Sequence, residues 1–543
     1  MSSTEISYGY DLLGNLNSKL QNTTHNMDYE YSSLGNIIQS QMPSERGENY
    51  TYTANGNLDT IVSDNKTFDY DYYDTGYVKS ITYPNGLKTS YNYDNINRVT
   101  SMTTTKGTST INTLLYEYDA NGNVVSETRN GAETTYTYDN LDRLLSVTYS
   151  DGSSVSYEYD ALNNRTKETY SNGDVKDYLY NEKYQLKEIK QNGQITDTFT
   201  YNESGAVVTH NDKTYTYDEW DRMSGYSDGT DTYAYKYDAN GIRTQKNDKQ
   251  YIIDINNNVV AETDSTGTIT DEVLWGHRAL ARKTNGTWYY YIYNAHGDVV
   301  GLVNEAGTVV NTYEYTPWGE IRNETETVDN PIKYAGEYYD DELDMIYLRA
   351  RYYNPQIGRF TSFDIEEGEI SNPLDMNRYV YCRNNPIKYV DPTGESAIAT
   401  AVAIVGPAVI DAAATAIVYG FTGRHIGAGL VNGFVEGLTA SVSTYIGGIP
   451  GAIIGGTLGS ALGSMSEDLL FNKNKGVEEI AKSAAESAAW GLVGGLSNSY
   501  IGKAIDIANE AGSAAQTLMK YDERFGKAIK IFFEQLVNIL SSQ

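Results

Sequence analysis

The chain is poor in cysteine, histidine, phenylalanine and basic residues, and each shortage excludes something. One cysteine, Cys382, among 543 residues leaves no internal disulfide and no cysteine-based zinc cage. The five histidines form no cluster, and His277 and His296 stand apart without partners at ligand spacing, so neither a metal nor a cofactor is expected. Basic residues number 41 against 72 acidic ones, and a formal charge of −31 leaves no cationic face for a phosphate backbone, so no nucleic-acid partner is expected. No Gly-Lys-Ser/Thr phosphate loop and no Gly-x-Ser-x-Gly elbow occurs. The opening MSSTEISYGYDLLGN has neither a basic n-region nor an apolar h-region, so a secreted or cell-surface location is expected through a non-classical or separate export route.

What the chain has instead is tyrosine, 51 residues against 10 phenylalanines. The second tyrosine of each aromatic-x-Tyr pair falls at Tyr10, Tyr31, Tyr52, Tyr72, Tyr93, Tyr118, Tyr138, Tyr159, Tyr180, Tyr201, Tyr217 and Tyr237. That spacing, close to twenty-one residues for most intervals, marks a tandem repeat. Copies such as YEYDANGNVV (from Tyr116) and YTYDNLDRLL (from Tyr136) read as strand, turn and returning strand. Two rings two residues apart project from one face of a strand, Asp opens a turn, and Asn-Gly or Leu-Asp supplies residues that tolerate positive φ. One such hairpin cannot bury its aromatic face alone, whereas stacked copies can. Rows of tyrosines also serve as stacking platforms for a cell-surface glycan, but burial in the strands is the commoner use.

The Tyr-x-Tyr-Asp units resemble the YD repeats of the rearrangement-hotspot (RHS) and teneurin families. YLRARYYNPQIGRFTSFD (Tyr347 to Asp364) and NRYVYCRNNPIKYVDPTG (Asn377 to Gly394) resemble the RHS-associated core that closes such repeats. The resemblance implies a mainly β fold in which β-hairpins spiral into a hollow shell and the core plugs one end. It divides the chain into a YD-repeat shell over 1–250, the end of the shell and the core over 251–394, and a variable C-terminal domain over 395–543.

It also implies chemistry. RHS cores resemble an aspartic-protease arrangement and cut their own chain just beyond the final Asp-Pro-x-Gly. The matching residues are Asp364, Asp391 and Arg359, with a scissile bond near Glu395–Ser396. Two close carboxylates share one proton, so that one activates water while the other protonates the leaving amide. The sequence departs from the cleaving pattern at Asp364-Ile365-Glu366-Glu367-Gly368 and at Glu395, where an apolar residue is usual. The competing reading makes Asp391-Pro392-Thr393-Gly394 an ordinary turn with Pro at its second position.

Composition changes at this border: residues 395–543 carry 4 of the 51 tyrosines but 21 of the 49 glycines. The stretches 397–421 and 445–465 are apolar enough for membrane contact, and Gly447, Gly451, Gly455, Gly459 and Gly463 fall on one face of a helix, as in close helix packing. The remainder reads as amphipathic helix, with Phe532, Phe533, Leu536 and Leu540 at helical spacing. The expectation is therefore a small, Gly/Ala-rich α-helical domain. Two functions compete: an RHS-type polymorphic toxin or contact-dependent competition protein whose shell carries or encloses a membrane-active domain, neutralised by an immunity protein; or a teneurin-like adhesion or carbohydrate-binding protein with a membrane-anchoring tail.

Overall fold

The computed structural model describes residues 6–364 apart from 13, 14, 23 and 34, residues 376–395, the backbone of 398–399, and eight residues beyond, 481, 482, 485, 530–532, 535 and 536. The chain divides into two units, Met1–Tyr72 with Val78–Val405, and Tyr73–Tyr77 with Gly406–Gln543. Among the described residues of the second unit, 481, 482, 485, 530–532, 535 and 536 are helical, and Ala481, Ala485, Phe532 and Leu536 are buried. Among the described residues no helix is long and apolar enough to cross a membrane. Of the stretch 397–421 only the backbone of Ile398–Ala399 is described, and it is a short strand paired antiparallel with Tyr389–Val390 rather than helix; its other residues and 445–465, including Gly447, Gly451, Gly455, Gly459 and Gly463, lie outside the described residues.

In the first unit 32 strands, β1 (Ile6–Tyr10) to β32 (Ile321–Glu326), pair each with the next in an antiparallel ribbon. The wiring of a unit explains why the repeat asks for tyrosine. In the pair of β11 (Ser109–Tyr118) and β12 (Val124–Arg129), Tyr116 faces Glu127, and a bulge between Glu117 and Tyr118 re-aims the second ring. The Tyr118 hydroxyl then donates 2.7 Å to the carbonyl of Val99, the start of the preceding return strand. The same bond recurs from Tyr138 to Val124, Tyr159 to Leu144, Tyr180 to Arg165 and Tyr201 to Leu186, at 2.7–2.9 Å. Phenylalanine would fill the space but leave each carbonyl unpaired. Tyr159→Phe is expected to cost about 1–2 kcal/mol in urea unfolding, the penalty of one unsatisfied, part-buried acceptor; a cost under a few tenths would make the ladder decorative.

The aspartate of each unit caps its turn. Asp94 Oδ1 accepts the N–H groups of Ile96 and Arg98, and its Oδ2 receives Arg98 Nε at 2.7 Å. Asn97 and Asp142 adopt φ near +60°, where other copies place glycine. Arg98 then lies 4.4 Å over the Tyr118 ring and donates to the Asp119 carbonyl, tying one unit to the next. Arg143 and Arg222 repeat this over Tyr159 and Tyr237.

The ribbon coils back on itself. Gln21 Nε2 donates to Tyr251 O at 2.7 Å, Lys19 Nζ to Asp254 O at 3.0 Å and Arg46 Nη2 to Val273 O at 3.0 Å. Strands β27 (Ile269–Trp275) to β30 (Val299–Asn304) are buried on both faces. Leu274, Tyr290, Ile292 and Val300 pack on Ile61, Phe68, Tyr91 and Met102, whereas Val273, Tyr291 and Val299 join a cluster running through the core to Tyr178 and Tyr235. Strands with two buried faces lose alternation and read as continuous apolar runs, which is how WYYYIY and VVGLV read. The core contributes a further buried sheet, β33 (Tyr338–Asp340), β34 (Met345–Leu348), β35 (Arg351–Asn354) and β36 (Arg359–Phe360). A cavity of about 450 Å³ remains beside these layers, lined by Tyr116, Glu127, Tyr136, His296, Asp298 and Tyr334 among others.

Candidate self-processing site

The core is riveted to the turn edge of the repeats by amides. Asn377 Nδ2 donates to Leu162 O, Asn384 Nδ2 to Asn163 O, Asn385 Nδ2 to Asp142 O, and Lys388 Nζ to Asn121 O, all at 2.7–2.9 Å. Turn carbonyls that a sheet leaves without partners are thereby satisfied. This is the work of the asparagines in NRYVYCRNNP, and it sets where the chain emerges as β37 (Tyr389–Val390) before Asp391.

Beyond β37 the segment from Asp391 to Glu395 is held on both sides. Asp391 Oδ1 accepts the N–H groups of Gly394 at 2.8 Å, Glu395 at 3.2 Å and Thr393 at 3.3 Å. On the other side three successive carbonyls meet three successive residues of the hairpin after β34. Arg349 Nη1 donates to Pro392 O, the Ala350 amide to Thr393 O at 3.1 Å, and Arg351 Nε to Gly394 O. Arg349 is itself paired with Glu337 at 2.8 Å. Burial raises the Glu337 pKa, with Arg349 opposing and Asp391 adding to it. Gly394 has φ +74°, and a Cβ there would run into Leu348 O and stand 2.9 Å from Arg351 N. The turn of the competing reading therefore exists, but it is a clamped one.

The two aspartates meet at one arginine, 27 residues of chain having folded back to bring them there. Arg351 Nη2 lies 2.7 Å from Asp364 Oδ2 and 3.8 Å from Asp391 Oδ2, and its Nη1 donates to Arg378 O at 3.0 Å. Its guanidinium also lies 3.6 Å over the Phe360 ring. Burial pulls the Arg351 pKa down, against the opposing pull of Asp364, Asp391 and Glu395. The arginine between the carboxylates is thus Arg351. Arg359, the arginine named from the sequence, points elsewhere: its guanidinium bonds Asn164 Oδ1, Tyr184 O and Asn377 Oδ1 and anchors the core to the repeats. The missed signal was in YLRARYY, where two arginines sit in an otherwise aromatic and apolar strand pair and so need buried partners. The carbonyl of Gly394 faces Arg351 and the amide of Glu395 faces Asp391, so both polar atoms of peptide bond 394–395 are engaged. Ser396 lies outside the described residues.

Tyr-x-Tyr-Asp hairpins wound into one antiparallel ribbon and closed by an asparagine-riveted core define a YD-shell protein. The family model described as Teneurin YD-shell matches residues 1–191 and 272–387, more than half of the chain, and the chain belongs to that family. The tRNA nuclease WapA of Bacillus subtilis is 36% identical over 211 residues, 36% of this chain and 9% of that protein. Toxin protein Tse5 of Pseudomonas aeruginosa is 36% identical over 81 residues, 14% of this chain and 6% of Tse5. In the Photorhabdus luminescens Tc holotoxin pore a chain with 18% identity matches 73% of this one and 23% of itself, with a TM-score of 0.62. The TcdB2–TccC3 crystal structure matches 71% of this chain and 24% of that one, with 19% identity and a TM-score of 0.60. At such identities the fold alone is shared with the Tc proteins. The chain spans under a tenth of the length of these sequence relatives and about a quarter of the structural ones.

Proposed function

We propose that this chain is the shell-and-core portion of an RHS-type polymorphic toxin or contact-dependent competition protein, with residues 395–543 as the effector. In this reading the core releases the effector by hydrolysing the bond after Gly394. The carrying observation is the clamp: a peptide bond whose carbonyl rests on Arg351 and whose amide rests on Asp391, with Asp364 on the same guanidinium. Asp364 would take a proton from water, whose oxygen attacks the Gly394 carbonyl carbon while Arg351 stabilises the developing oxyanion. The proton gained by Asp364 would pass to the Glu395 nitrogen as the C–N bond breaks, while Asp391 holds that amide through its Oδ1. Both carboxylates then end as they began. The nuclease activity named for WapA is not carried over, since residues 395–543 contain one histidine, His425, and no cysteine. A membrane-active effector needs no such cluster, and the apolar stretches 397–421 and 445–465 suit it. An immunity protein that blocks it in the producing cell, and secretion or surface display of the whole, belong to the same proposal.

Mass spectrometry of the purified chain tests it. The expected result is a C-terminal fragment beginning at Glu395 and absent from Asp391→Asn. A fragment beginning at Ser396 would move the cut one bond along, to the position named from the sequence. A single full-length species would sink self-processing. Toxicity of residues 395–543 expressed in bacteria would support the effector assignment, whereas retention of the intact chain on glycans without toxicity would favour the adhesion reading.

A further inference from the structure

His296 looked solitary in the sequence, but Asp298, two residues on, is its partner. The turn from Tyr293 to Val299 places the His296 ring between two acceptors: Nδ1 lies 2.7 Å from Asp298 Oδ1 and Nε2 lies 3.1 Å from Tyr389 O. Asp298 cannot rotate away or act as donor without loss, because the same Oδ1 accepts the Ala335 amide and Oδ2 accepts Asn294 Nδ2. A neutral imidazole carries one N–H and would turn a lone pair toward one of these oxygens; an imidazolium satisfies both. Tyr389 begins β37, two residues before Asp391. The His296 ring is thus one of the shell's grips on the strand that delivers the candidate self-processing turn.

We propose that His296, held as an imidazolium between Asp298 and the Tyr389 carbonyl, is a positioning residue for the Asp391 turn, and that loss of its proton loosens that turn. The effect on cleavage rests on the self-processing reading above; the effect on the turn does not. The surroundings favour the charged ring. Burial works to lower the His296 pKa, but Asp298, then the Tyr389 carbonyl and Glu127, outweigh it and the net shift is upward. Glu127 faces the ring from β12, pushed up to about 7 by burial and by Asp298, with Arg129 of the same strand opposing. Tyr334 lies 5.1 Å away ring to ring, Tyr116 accepts the Ala295 amide with its hydroxyl, and Tyr315 faces Asp298. The cavity of about 450 Å³ is lined by His296, Asp298 and Glu127 together. With a raised pKa the latch is complete below the ordinary histidine value and is lost as pH rises through the raised one.

Amide hydrogen exchange at Gly394 and Glu395 in the full chain, expressed as protection relative to the unfolded rate, decides the matter. Protection in the wild type is expected to fall about tenfold or more between about pH 6 and pH 9, and in His296→Gln to be low throughout and flat. Flat protection in the wild type, or a pH dependence that survives in His296→Gln, would overturn the proposal. Should the variant not fold, nitrogen NMR of the wild-type ring replaces it: protons on both ring nitrogens at neutral pH are expected, and a neutral ring there overturns the latch. If the chain never cleaves at any pH, the self-processing reading falls alone and the exchange data still judge the latch.

Discussion

Arg351→Met is expected to destabilise the first unit by about 3–5 kcal/mol in urea unfolding and to abolish any cleavage after Gly394. The guanidinium is the shared counter-ion of Asp364 and Asp391 and a donor to the carbonyls of Arg378 and Gly394. Methionine keeps much of the apolar packing on Phe360 but leaves half-buried Asp364 and buried Asp391 without their shared cation. They could relax only by protonation or by pulling the turn apart, and either ends the present geometry. Arg351→Lys restores one charge without the planar fork that reaches four acceptors, so it should recover only part of the loss. An unfolding midpoint for Arg351→Met equal to that of the wild type would show that the arginine is incidental.

The second large effect belongs to the smallest residue of the turn. Gly394→Ala is expected to cost about 1–3 kcal/mol from its left-handed backbone, with a further penalty because the new methyl meets the Leu348 carbonyl. Backbone on both sides leaves no flexible side chain to yield, so the turn must move off the hairpin and the Gly394 carbonyl must leave Arg351. Cleavage should disappear even where the protein still folds. Thr393→Ala is the control, since its hydroxyl makes only long contacts of 3.3–3.4 Å with Glu395 N and Asp391 Oδ1. Equal unfolding midpoints and equal cleavage for Gly394→Ala and Thr393→Ala would remove the clamp from the mechanism.

Much of the shell is legible in the text because its rules are local. Tyr-x-Tyr places two rings, Asp caps the turn, and a glycine or asparagine accepts positive φ, all within about ten residues of one another. The hydroxyl ladder explains why the second position of each pair is tyrosine and not phenylalanine, since that ring must reach one carbonyl about fifteen residues back, as Tyr159 reaches Leu144. The doubly buried strands are legible too, in the lost alternation of WYYYIY and VVGLV.

The site divides differently. Asp364 and Asp391 are visible as motif residues, and the structure does bring them to one guanidinium. Which arginine joins them was not visible, because Arg349, Arg351 and Arg359 lie within eleven residues and differ only in where the core sheet points them. One partner of His296 was hidden for the same reason: Asp298 is two residues on, but Tyr389 is 93 residues away, and only the coil of the ribbon brings that carbonyl to the ring. By itself, then, the sequence determined the repeat and its turns, since those follow from neighbours along the chain. The tertiary structure decided which charge meets which, because a buried ion pair or a shared proton depends on distance in space.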